Sequence, residues 1–153
     1  HLEGPYINSK LIGAQNPAFV RLPDIEEVKR LNAIYPVKKV SFAVEVEKGT
    51  EFASELLSEG ITPSCVHSQA TYKAFSAAYD HGLRNLSHFC NQMTALHHRD
   101  IGLVGAGLAH KEEFIEIYKE NITREGADKL LEYLLSSSSD FFFSASSSNF
   151  LLI

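Results

Sequence analysis

Apolar residues along this chain fall into two alternating rhythms. Ile25, Val28 and Leu31 recur at helical spacing behind Asp24, a natural N-cap, with Glu27 placed as its capping-box partner. The spacing predicts a helix over 24–35, closed by Pro36. Val40, Phe42, Val44 and Val46 then alternate strictly, which predicts a strand over 38–46. A second helix is expected over 51–58, ended by Gly60. The β-favouring run 61–66 follows and delivers His67 at its end. Ser68 is the expected cap of a third helix, on which Tyr72, Phe75 and Tyr79 share a face. His81-Gly82 stops that helix before a short strand over 84–87 that delivers His88. Beyond a small, glycine-rich stretch at 103–108, a strand is expected over 113–118. A helix is expected over 123–135, with Ala127, Leu130, Leu131, Leu134 and Leu135 on one side.

Strand and helix alternate throughout, so the fold class is α/β with a parallel sheet. Periodicity leaves two architectures open, a doubly wound sheet and part of a (β/α) barrel. The opening run HLEGPYIN reads as the last residues of a strand spilling into a loop, as if the chain began inside an element.

Composition narrows the partners. The 153 residues are 44% hydrophobic and 22% charged, which suits a globular chain with one core. A net charge of -5 offers no footprint for nucleic acid or an anionic membrane. No apolar run reaches the length of a membrane span, and two cysteines, Cys65 and Cys90, are too few for a disulfide scaffold. Cytoplasm is the simplest compartment.

Candidate chemistry lies at the strand ends. Glu3, His67 and His88 each stand where a predicted strand finishes, the edge at which α/β folds build their sites. One carboxylate and two imidazoles form a ligand set suited to a catalytic divalent ion, with a position left for water. The ordinary alternative is that strand-end histidines are capping or hydrogen-bonding groups. His97, His98 and His110 are expected not to be ligands, the first two because adjacent loop residues point apart.

Five short motifs add to this: HLEGPYIN at 1–8, GAQNP at 13–17, CVHSQAT at 65–71, NLSHFCNQM at 85–93 and HRDIGLVGAG at 98–107. In that order they resemble the N-acetylglucosamine-6-phosphate deacetylases of the amidohydrolase superfamily, over roughly residues 1 to 122. The resemblance implies a (β/α)8 barrel, of which this chain would be a central slice of about five βα units. It implies removal of acetate from an N-acetyl amino sugar 6-phosphate by metal-activated water, in an enzyme that forms homodimers. Glu3, His67 and His88 match the metal ligands, and one divalent ion is implied, zinc first and iron or another ion as alternatives. Asn91 and Gln92 match positions that contact the sugar phosphate. Arg99 matches an arginine that reaches the phosphate across the dimer interface, a task suited to its planar fork. Without the resemblance, Arg99 reads equally as a solvated surface charge. Gln15 stands where many members carry a histidine that meets substrate.

The chain also departs from the pattern. Val66 replaces the glycine before the metal histidine, and Val44 replaces the proline of the APE-like strand end. Thr123 stands in place of the sugar-binding histidine. The later aspartate that serves as general base has no counterpart, so no catalytic residue is assigned. An inactive remnant that binds metal or sugar phosphate is therefore the second reading. Residues 136–153, SSSSDFFFSASSSNFLLI, match no part of the family. They are set apart from a 1–135 barrel segment as a low-complexity tail, read as disordered or, preferably, as the product of a shifted reading frame.

Overall fold

The computed structural model describes residues 1–110, 114–116, 143–146 and 149–152. Five short strands, β1 (Leu2–Glu3), β2 (Lys39–Phe42), β3 (Thr62–Cys65), β4 (Asn85–Leu86) and β5 (Phe114–Glu116), pair in parallel. Their spatial order is their chain order, 1-2-3-4-5. A doubly wound sheet must reverse direction at a switch point, and none occurs in this run. Sequential parallel strands joined by helices form the arc of a (β/α) barrel. The connecting helices are α1 (Ile25–Ile34), α2 (Gly49–Ser58), α3 (Tyr72–Asp80) and α4 (Gly102–Ala109). Contacts of α1 with α2, α2 with α3 and α3 with α4 place them side by side on one layer.

The sheet sorts its residues by face. Val40, Phe42, Cys65 and Leu86 turn toward the helices, where they join Phe52 and Leu56 of α2 and Phe75 of α3 in one fully buried core. Phe52 stands edge-on to both Tyr6 and Phe42, with ring centroids 5.3 and 5.0 Å apart. Each such side chain contributes roughly 1.5–3 kcal/mol by leaving water. The alternate residues form a polar layer. Ser41 Oγ and Ser64 Oγ lie 3.0 and 2.9 Å from Ser87 Oγ, and His1 Nε2 lies 2.7 Å from Ser41. All three serines are buried. Their hydroxyls satisfy one another, so the burial costs little.

Several boundaries differ from the sequence expectation. The strand expected over 38–46 ends at Phe42, because Glu45 turns away to bond other loops. Asp24 caps α1 by accepting from the Glu26 and Glu27 amides, at 2.9 and 3.2 Å. Glu27 does not return the capping bond. Its carboxylate instead takes the Tyr6 hydroxyl at 2.8 Å and the Arg21 guanidinium, so a loop partner displaces the local one. The cap of α3 is Thr71, which accepts from Ala74 N at 3.2 Å, while Ser68 serves Glu45. The glycine-rich stretch is the helix α4.

The helix expected over 123–135 lies outside the described residues. Within 136–153 the described parts are β6 (Phe143–Ser146) and β7 (Asn149–Leu152). These pair antiparallel with each other, and β7 pairs antiparallel with β5. The edge of β5 offers backbone groups to which a β-favouring run can pair.

Candidate metal centre

Parallel strands share one C-terminal edge, and three side chains meet there. Glu3 ends β1, His67 lies two residues past β3, and His88 two past β4. Glu3 Oε1 is 3.4 Å from His67 Nε2 and 3.3 Å from His88 Nε2, and the two Nε2 atoms are 3.2 Å apart. Both imidazoles are buried, and the carboxylate is partly exposed. Among the described residues this is the one group of three or more potential ligands whose donor atoms converge, all within 4.8 Å of one another.

Backbone carbonyls aim the rings. His67 Nδ1 donates to Leu11 O at 2.5 Å, and His88 Nδ1 donates to Asn91 O at 3.2 Å. A carbonyl only accepts, so each Nδ1 carries its proton and each Nε2 keeps a lone pair. Two lone pairs and a carboxylate oxygen then point at one space. Such a set repels itself unless a positive charge lies between its members, and that requirement is the physical fit to a cation. The same convergence appears in the protonation equilibria. When a ring proton rather than a cation occupies the shared space, Nε2–H donation from His67 and His88 holds the Glu3 carboxyl down to about 2, against the opposing effect of burial. Burial disfavours charge on His88, but the hydrogen bond and negative charge of Glu3 outweigh it and raise its pKa.

The backbone is bent into place at the site. His67 and His88 have φ of 46° and 34°, the left-handed region that L-residues seldom adopt, and Cys90 and Gln92 follow at 72° and 51°. Conformations of this kind persist where surrounding bonds over-determine them. The substitution of valine for glycine at 66 is accommodated: the left-handed residue is His67 itself, and Val66 is fully buried.

The expected substrate residues are distributed unevenly. The Gln15 amide presses on Gly4, the residue after Glu3, which puts it beside the centre. Gln92 lies against Gly13, and its carbonyl accepts from Ser68 N at 3.1 Å. Asn91 is exposed, and its backbone carbonyl has the additional task of orienting His88. Arg99 lies in an exposed loop pinned by the His97–Asp100 bridge; among the described residues its side chain makes no hydrogen bond or ion pair. His97 and His98 face each other in that loop with ring centroids 4.0 Å apart. His110 packs among Tyr72, Phe75 and Tyr79. The position of Thr123 lies outside the described residues.

Two carbonyl acceptors, Leu11 and Asn91, and the carboxylate of Glu45 were not legible as parts of the site. Backbone acceptors leave no trace in residue identity. Glu45 had one signal, a charged residue at the end of an otherwise apolar run.

Comparison with known proteins bears on the fold. No family model matches the chain. It is 36% identical over 119 residues to an N-acetylgalactosamine-6-phosphate deacetylase of Escherichia coli O157:H7, covering 76% of this chain and 32% of that protein. It is 32% identical over 141 residues to the N-acetylglucosamine-6-phosphate deacetylase of Bacillus subtilis, covering 91% and 36%. Its relatives are amino sugar phosphate deacetylases. The solved N-acetylglucosamine-6-phosphate deacetylase of Thermotoga maritima superposes with a TM-score of 0.77 at 34% identity, over 86% of this chain and 36% of that one. The Mycobacterium smegmatis enzyme, an alanine variant in complex with N-acetyl-D-glucosamine 6-phosphate, gives 0.80 at 25% identity, over 89% and 36%. The architecture is therefore a partial barrel of the amidohydrolase deacetylase type. The chain spans about a third of the length of the curated relatives it matches.

Proposed function

We propose that this chain is the metal-holding portion of a deacetylase that removes acetate from N-acetyl-D-glucosamine 6-phosphate, leaving glucosamine 6-phosphate. The observation that carries the reading is the meeting of Glu3 Oε1, His67 Nε2 and His88 Nε2 within 3.4 Å, with both rings turned by carbonyls so that Nε2 faces the shared space. Relatives named N-acetylglucosamine-6-phosphate deacetylase match most of the chain.

Glu3, His67 and His88 would hold one divalent ion, and two nitrogens with one carboxylate oxygen suit zinc first. When bound, such an ion lowers the pKa of a coordinated water and polarises the amide carbonyl. The chain's own residues do the rest. Leu11 and Asn91 carbonyls keep the imidazoles in one tautomer. Gln15 and Gln92, whose side chains lie by Gly4 and Gly13, border the space where an N-acetyl sugar would sit. Asn91 offers an exposed amide to the phosphate, and Arg99, in its exposed loop, offers a bidentate fork to the same group. In a homodimer that loop would reach the neighbouring subunit's substrate. Residues 1–135 form the barrel segment of this reading, in a reducing cytoplasm that keeps Cys65 and Cys90 as thiols. No helix of the described residues is long and apolar enough to cross a membrane.

A second reading is a remnant that binds metal without turnover. It is favoured by Thr123 in place of the sugar-binding histidine. Acetate release from N-acetyl-D-glucosamine 6-phosphate, measured on the purified chain with added zinc, decides between them. Metal-dependent release that disappears in His88→Ala supports the deacetylase. Metal binding without release supports the remnant, and neither binding nor release overturns both.

A further inference from the structure

Glu45 lies just past β2, outside the metal triad, and carries a dense set of hydrogen bonds. Its Oε1 accepts from Asn8 Nδ2 at 2.8 Å and from Gln69 N at 2.6 Å, and its Oε2 accepts from the Ser68 hydroxyl at 2.5 Å. These donors come from the loops after β1 and β3. Both loops hold His67. On one side Ser68 and Gln69 directly follow it in the chain. On the other, Asn8 N donates to the His67 carbonyl at 3.1 Å, and the Asn8 carbonyl accepts from Leu11 N at 2.9 Å. Leu11 O in turn accepts the Nδ1 proton of His67.

We propose that Glu45 is the positioning residue for His67: its carboxylate clamps the two loops that fix the left-handed backbone and the ring tautomer of that histidine. A carboxylate suits the role because it only accepts, so three donors from two loops can converge on two oxygens without a competing proton. The residue ties β2 into a centre to which β1, β3 and β4 supply the ligands. Hydrogen bonds behind a ligand govern how well it is presented, and their removal typically lowers metal affinity by about 10- to 100-fold. His88 has a separate anchor in Asn91 O, so its ring need not depend on Glu45.

The inference rests on the metal-centre reading, and its test separates the two. Imidazole ¹⁵N and ¹H resonances of the metal-free 153-residue chain would be compared in wild type, Glu45→Ala and Glu45→Gln, followed by cobalt(II) titration of each by visible absorption. In Glu45→Ala the protected Nδ1–H signature of His67 should be lost while that of His88 persists, and cobalt affinity should fall about 10-fold or more. Glu45→Gln keeps one acceptor and should show a smaller change in the same direction. It carries the comparison should the alanine variant fail to fold. Unchanged His67 resonances in a folded variant would overturn the proposal. A wild type that binds no cobalt would refute the metal reading alone, since the ring spectra still report whether Glu45 sets His67.

Discussion

Gly13 stands directly against His67: a Cβ built on Gly13 would lie 3.0 Å from Cε1 of the imidazole and 3.5 Å from Cγ of Gln92. Its φ of +57° is also one that only glycine takes without penalty. Gly13→Ala should therefore cost roughly 1–2 kcal/mol of stability from the left-handed backbone alone. It should also push the ring of His67 away from Glu3 and weaken zinc binding. Urea denaturation with and without zinc would measure the two effects separately.

Metal binding should appear as stabilisation. A ligand that binds only the folded state at 100 times its dissociation constant adds about 2.7 kcal/mol. Zinc should raise the unfolding midpoint of the wild-type chain, a chelator should reverse the rise, and His67→Ala or His88→Ala should abolish it. An equal shift in wild type and both variants would place the binding elsewhere.

Phe52 is the keystone of the helix-facing core, fully buried and edge-on to Tyr6 and Phe42. Truncation to alanine should cost about 3–5 kcal/mol. Against a total stability of about 5–15 kcal/mol for an ordinary domain, that loss should be plain as a lowered midpoint by circular dichroism.

His110 supplies a pH dependence. Its ring lies 4.3 Å from that of Tyr79 and 5.7 Å from that of Tyr72, and Ser76 Oγ is 3.1 Å from its Nε2. Burial first, and the charge of Arg84 second, lower its pKa, with Asp80 opposing. The unfolded chain therefore binds the proton more readily than the folded one. The stabilising contribution is complete above the unfolded value of ~6.5 and is lost as pH falls through the lowered folded value. His110→Phe should lose stability less than wild type on acidification from about pH 7.5 to 5, read as thermal midpoints.

The triad was legible in the sequence because parallel strands deliver their ends to one edge, so Glu3, His67 and His88 needed only correct strand ends to be grouped. The barrel architecture needed the strand order, which periodicity does not carry; the family motifs carried it instead. Local signals failed where tertiary partners outbid them. Glu27 chose Arg21 and Tyr6 over its capping box, and Ser68 chose Glu45 over the cap of α3. The helix α4 was hidden because GLVGAGLA has poor helix propensity, and its small residues serve close packing: a Cβ on Gly105 would stand 2.8 Å from Ile101 and Leu96 side-chain atoms. Leu103 and Ala106 of the same helix are fully buried.

Sequential strand order also sets a timetable. Glu3, Leu11, Glu45, His67, His88 and Asn91 all fall in the first 91 positions, and each βα unit docks on the one made just before it. As the chain is synthesised from its N-terminus, these groups, which grip or aim the triad among the described residues, have emerged before α4 begins at Gly102. The departures at Thr123 and in the serine- and phenylalanine-rich end all come later. The described strands that come after α4, β6 and β7, then join the sheet beside β5.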